Sequence, residues 1–347
     1  MSSHLRPLLV VFISFLLLSA CTGVEQTPPP APETQSPAPA VSPPNPAEST
    51  PLPSLEVDAS PAAADSPSPE VATPVMTVPG VQPTLPPTRT PLAAGAWMTL
   101  PVIPTVSETA REIYLRGIAM GNNPHAFSKI GDCQSITTYF LAYFDLPGYY
   151  ELGDYTYLQE TIDWYTGSFE RESLAVRGGF NAAAILSPLR ADPTQCNVNE
   201  SPVACEIRVH NPSLVLISME EWWTAHPENY ENYMRQILEL VISEGVLPIL
   251  ATKADNLEGD HTINQTIARL AWEYDIPLWN FWLAVQTIPN HGLIAETPDG
   301  QPDMFHLTHS ASYYNYSDPY SLQSGWGVRN LTALQSMDAV RNGLAQP

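Results

Sequence analysis

The sequence predicts an α/β fold, a doubly wound parallel sheet with flanking helices, preceded by a disordered Pro-rich linker. Three observations predict it. Short, continuous apolar runs, suited to strands buried on both faces, alternate with amphipathic stretches along the C-terminal part of the chain. Of the 347 residues, those from 96 to 347 hold nearly all the Trp, Tyr and Phe, enough for one large core. Residues 22–95 hold 20 of the 37 prolines. Mixed with Ser, Thr and Ala, that segment buries too little apolar surface to offset the entropy of ordering.

Taken in order, residues 1–20 read as a signal peptide. Arg6 supplies a positive start, and residues 8–18 are an apolar run. That run is too short to cross ~30 Å of hydrocarbon as a helix rising ~1.5 Å per residue. Leu18-Ser19-Ala20-Cys21 then resembles the lipobox of bacterial lipoproteins. The resemblance implies that Cys21 is lipidated, palmitate included, and becomes the mature N-terminus. The chain is then a lipoprotein anchored at the extracytoplasmic face of a bacterial cell membrane. An ordinary cleavable signal with an incidental cysteine is the other reading. Residues 21–95 form the tether, which favours polyproline II and lifts a domain away from the membrane.

Within 96–347, Thr105-Val106-Ser107-Glu108 reads as a capping box opening a helix through Glu112 and Leu115. Residues 126–130 form the first strand. Residues 136–144, apolar and aromatic, read as a helix, and 154–165 as another. Residues 212–218 are a strand buried on both faces. Pro227 suits a first helical position, Tyr230, Tyr233, Met234, Ile237, Leu238, Val241 and Ile242 follow at helical spacing, and Gly245 suits a left-handed cap. Residues 246–251 are a further buried strand, although Pro248 removes one donor from its ladder. Residues 262–273 are a helix with Ile263, Ile267, Leu270 and Ala271 on one face. Residues 276–281 give another strand and 330–344 the closing helix. Ligands of such sheets lie beyond the carboxyl ends of the strands, so chemistry is sought just after each one.

Charge narrows the function. Lys and Arg number 14 against 36 Asp and Glu, a net charge of −22. A nucleic-acid partner needs a basic footprint, and the sequence carries none. Docking on anionic lipid through the protein surface is disfavoured for the same reason.

Ile130-Gly131-Asp132-Cys133-Gln134-Ser135 follows the first strand, and Pro302-Asp303-Met304-Phe305-His306-Leu307-Thr308 comes near the end. Gly179 stands between them in Arg177-Gly178-Gly179-Phe180-Asn181. In order and spacing these blocks resemble the SGNH/GDSL hydrolase family over roughly residues 112–310. The resemblance implies a flavodoxin-like, SGNH-hydrolase type of sheet and hydrolysis of ester bonds. Cys133 stands where that family has its nucleophilic serine, His306 where it has the base, and Asp303 where it has the residue orienting the base. The backbone N–H groups of Cys133 and Gly179 would serve the oxyanion. No cofactor and no metal is implied.

The sequence departs from the family twice. The nucleophile position holds a thiol, and a thiol paired with imidazole is itself an acyl-transfer nucleophile. Where the family has Gly-x-Asn-Asp after a buried strand, this chain has Glu220-Glu221-Trp222-Trp223, so Glu220 replaces the glycine and Trp222 the oxyanion-binding asparagine. Losing one such donor costs about 10²–10³ in rate. Carboxylate beside aromatic ring is also a way to hold sugars, which makes Glu220 and Trp222 candidate substrate-binding residues. A core or lid role is the commoner fate of tryptophan.

Other readings stand beside these. Cys133 suits a small buried apolar residue, and Asp303, His306 and His309 suit metal ligation. Asp132 is expected to bond the backbone of its turn. Lys253-Ala254-Asp255-Asn256 stands where a substrate could be met, but a turn with solvated charge is expected there. Cys196 and Cys205 are expected to be bridged in an exported chain, leaving Cys133 as the odd thiol. The expected function is a lipid-anchored extracytoplasmic hydrolase of small-molecule or glycan esters. The alternative is a catalytically inactive binding lipoprotein on the same scaffold.

Overall fold

The computed structural model describes residues 89–219 and 227–346. The signal and most of the tether, with Cys21, and the substrate-binding candidates Glu220 and Trp222 lie outside the described residues. Four strands, β1 Asn123–Gly131, β2 Pro212–Ser218, β3 Leu247–Ala251 and β4 Leu278–Trp279, form one all-parallel sheet in the order β1-β2-β3-β4. The helices are α1 Glu108–Met120, α2 Gln159–Trp164, α3 Ala182–Leu186, α4 Pro202–His210, α5 Pro227–Ser243, α6 Thr262–Tyr274, α7 Phe281–Val285 and α8 Gly325–Ala345.

Alternation along β1 sorts the helices into layers, because successive strand side chains point to opposite faces. Ser128 turns to Glu206 of α4. On the other face Phe127 packs edge-on against Tyr165 at the end of α2, and Lys129 bonds Phe169. Ser218 of β2 meets Arg329 of α8. Helices α3, α4, α5 and α6 pack among themselves on the Ser128 face, and α8 packs against α2 and α7 on the other. Every residue of β2 is buried, as its unbroken apolar run requires. Each such Leu or Ile contributes about 1.5–3 kcal/mol on burial.

Several expectations need correction. The cap of α1 is Ser107, whose hydroxyl accepts from the Ala110 N–H, rather than Thr105. Residues 136–144 do not form an α-helix. Leu141 takes φ 71°, and its N–H leaves any helical ladder to donate to Asn330 Oδ1 at 2.8 Å. Apolar side chains there turn into the core from several sides, so their spacing is not that of one helical face. Residues 154–165 divide into a 3-10 stretch, Gly153–Leu158, followed by the short α2. The strand expected over 276–281 shrinks to two residues, because Asn280 caps α7 immediately. Pro248 costs β3 little. The N–H groups of Leu250 and Thr252 face β4, donating to Pro277 and Trp279, so residue 248 faces the same way below the start of that strand.

Contacts with the domain begin inside the segment assigned to the tether. Arg89 pairs with Asp275 at 2.8 Å and lies over the Trp272 ring of α6. Among the described residues no helix is long and apolar enough to cross a membrane.

The edge of β1 away from β2 has an unusual finish. Gly131 makes a single parallel bridge there with Val176, donating to Ala175 O and accepting from Arg177 N–H. Below it, side chains take over from a strand. Ser168 Oγ accepts from Phe127 N–H, Ser173 Oγ donates to Lys129 O at 2.6 Å, and His210 Nε2 lies 2.9 Å from Phe127 O.

Candidate active site

The turn after β1 is set by Gly131 and Asp132. A Cβ on Gly131 would stand 2.5 Å from Ser218 O, so β1 and β2 reach this close only because the residue is glycine. Asp132 then caps the 3-10 turn Cys133–Ser135 by accepting from Gln134 N–H at 3.0 Å, as expected of it. Cys133 is half-buried at the carboxyl end of β1. Buried Arg329 fixes the turn from below. It donates to Gln134 O at 3.1 Å and to Ser218 Oγ at 2.7 Å, among the rings of Phe140, Trp279 and Phe281.

His306 arrives on an irregular return segment. Ile294 N–H donates to His306 O, and Met304, at φ 50°, donates to Ile294 O. Asp303 holds this turn together. Its Oδ1 accepts from the N–H groups of Phe305 and His306 at 3.1 and 2.8 Å, while His306 Nδ1 lies 3.1 and 3.0 Å from its two oxygens. Burial pushes the Asp303 carboxyl up, but these donors outweigh it and hold the acid below its ordinary value. An anionic Asp303 favours the proton on Nδ1 and leaves Nε2 as the basic nitrogen. The Asp303 side chain is 8% exposed and that of His306 56%.

One hydrogen bond joins the two blocks. Gln134 Nε2 donates to Phe305 O at 2.8 Å, so the residue after Cys133 is tied to the residue before His306. Gly179 stands nearby with φ +80°, in a turn closed by Phe180 N–H to Arg177 O. The Gly131–Val176 bridge brings that turn to the end of β1, where a Cβ added at Gly178 would stand 3.6 Å from Ile136 Cδ1.

Compared with family models, with curated proteins and with solved structures, the chain matches none.

Cys196 and Cys205 form a disulfide, with Cα atoms 5.3 Å apart. Glu200 lies close enough to make a metal-sized trio with them. The bridge engages both sulfurs, and Arg208 takes the Glu200 carboxylate, so no ligand set remains there. His309 lies among the rings of Tyr139, Tyr313 and Trp326 instead of beside Asp303.

The expectation of a solvated turn at 253–256 is wrong. Lys253 and Asp255 are each 1% exposed, and Lys253 Nζ lies 2.6 Å from both Asp255 Oδ1 and Glu258 Oε2. Burial pushes the Asp255 carboxyl up. Burial lowers the Lys253 amine, yet the two carboxylates outweigh this and raise it. Sequence reasoning gave no role to Gln134 or Arg329. Gln134 follows the nucleophile position directly, the one local signal available, while nothing near Arg329 in sequence marks it.

Proposed function

We propose that the chain is a lipid-anchored extracytoplasmic hydrolase of ester bonds, working in the SGNH/GDSL manner through Cys133, His306 and Asp303. The observation that carries this reading is a single juxtaposition. His306, held at Nδ1 by Asp303, lies on a segment hydrogen-bonded to the turn that presents Cys133. The sheet supports it too. With Val176 counted as a reduced strand, the chain-order pattern is 2-1-3-4-5, that of flavodoxin-like doubly wound sheets.

In this reading His306 Nε2 takes the thiol proton, and Cys133 Sγ bonds to the ester carbonyl carbon. The oxyanion accepts from the N–H groups of Cys133 and Gly179. Collapse breaks the bond to the leaving alcohol, which receives the proton from His306. Water, deprotonated by His306, then cleaves the thioester, and the proton returns to sulfur. Asp303 holds the imidazole and stabilises its charged form.

The test is hydrolysis of p-nitrophenyl acetate together with iodoacetamide alkylation of Cys133. Cys133→Ala should abolish turnover, and His306→Ala should lower it by about 10²–10⁴. Alkylation should stay fast well below pH 8.5, the ordinary thiol pKa of about that value, and slow in His306→Ala. A thiol indifferent to His306, with no turnover, would replace this reading with that of a binding lipoprotein.

A further inference from the structure

A row of rings begins three residues from His306. The His309 ring centre stands 5.2 Å from Tyr139 and 5.5 Å from Tyr313, Tyr313 stands 6.2 Å from Tyr143, and Tyr143 stands 5.7 Å from Tyr149. Three residues of extended chain span at most about 10 Å, so the row starts beside the candidate base. Tyr139, His309 and Tyr149 are exposed, Tyr139 by 41% and Tyr149 by 65%.

The row rests on a rigid support. Asn330 is fully buried, and each half of its amide is bonded. Its Oδ1 accepts from Leu141 N–H and Tyr314 OH, and its Nδ2 donates to Tyr139 O and Trp326 O. The backbone at Tyr139 and Leu141 is therefore fixed before any ligand arrives, which reduces the ordering cost of binding at that end of the row.

Several exposed rings in one row mark a contact surface. None of the five is cationic in the manner of Lys or Arg, and the chain carries a net charge of −22, so an anionic polymer is repelled. Phenol rings offer flat apolar faces and hydroxyl rims. A neutral sugar chain matches both, with C–H faces to stack on rings and hydroxyls to bond at their edges. We propose that the row Tyr139–His309–Tyr313–Tyr143–Tyr149 is a subsite for a neutral oligosaccharide, and that the ester presented to Cys133 is carried on that glycan. The second half of this inference rests on the esterase reading; the first does not.

Binding is measured by calorimetry on the full chain carrying Cys133→Ala, with neutral hexasaccharides of glucose, xylose, mannose and N-acetylglucosamine as probes. At least one should bind saturably, and Tyr139→Leu and Tyr149→Leu should each weaken it about five- to tenfold. Tyr149 is exposed enough that its replacement leaves the fold intact, which a matched thermal melt verifies. In the otherwise native chain the same two variants should raise KM for the acetylated hexasaccharide about fivefold and leave p-nitrophenyl acetate turnover unchanged. No saturable sugar binding, or binding unchanged in both variants, overturns the subsite. Sugar binding lost in the variants, with no ester turnover in the native chain, upholds the subsite and sinks the esterase reading.

Discussion

Lys129 is buried in β1 with its amine 2.9 Å from Thr137 Oγ1 and from Phe169 O, both neutral acceptors. Burial, and then the Arg171 guanidinium, lower its pKa from 10.5 to about 7, against the pull of Glu206 and Asp145. The unfolded chain therefore binds more protons than the folded one between those values, and stability must rise with pH across that window. Below pH 7 the full penalty applies. Lys129→Met removes it. Urea unfolding of both proteins at pH 6 and pH 9.5 should show native stability gaining on the variant by about 3 kcal/mol at the higher pH. An unchanged difference would mean that Lys129 is not held near neutrality. The catalytic candidates were legible at this scale because Gly-Asp-Cys and Asp-x-x-His are local patterns. Lys129, Glu206, Lys253 and Arg329 were not, since a sequence does not distinguish a buried charge from a solvated one when its surroundings come from elsewhere in the chain.

Among the elements, those with one clean periodicity were legible. Helix α6 buries Ile263, Ile267, Leu270 and Ala271 as its spacing predicts, and Gly245 takes φ +68° after α5. The stretch 136–144 misled because its apolar residues serve a polar centre. Asn330 draws Leu141 N–H and Tyr139 O out of helical pairing, and that residue comes from α8. Strand β4 was overestimated because apolar character continues into α7, where Phe281 is buried as a helical residue. Strands β1 and β2 meet closely at Gly131, where an added methyl meets Ser135 Oγ at 2.2 Å and Ser218 O at 2.5 Å. Ser135 can rotate; the Ser218 carbonyl belongs to the sheet. Gly131→Ala should lower stability by about 1–3 kcal/mol. Ser135→Gly in the same chain should recover only part of that loss in a thermal melt. Full recovery would show that the side chain, not the strand, sets the clearance.

For the molecule as a whole, the proposed function implies an anchor, a spacer and a catalytic head. The proposed anchor rests on Leu18-Ser19-Ala20-Cys21 alone. Mass spectrometry of the membrane fraction should find the first mature peptide beginning at Cys21 with acyl chains attached; an unmodified peptide beginning elsewhere would refute it. The Cys196–Cys205 bridge suits the same oxidising side of a membrane.

The finish on the outer edge of β1 bears on what happens when many copies crowd together. An open strand edge offers a template on which another chain can build, and sheet proteins at high local concentration polymerise that way. Here most of the groups that would do the recruiting are already occupied. Ser168 holds Phe127 N–H, Ser173 holds Lys129 O, His210 lies against Phe127 O, and Val176 closes the end. A neighbouring copy finds hydroxyls and an imidazole along much of that border instead of an open ladder of amides and carbonyls. Domains at high local concentration can therefore collide repeatedly at this border without zipping into a common sheet.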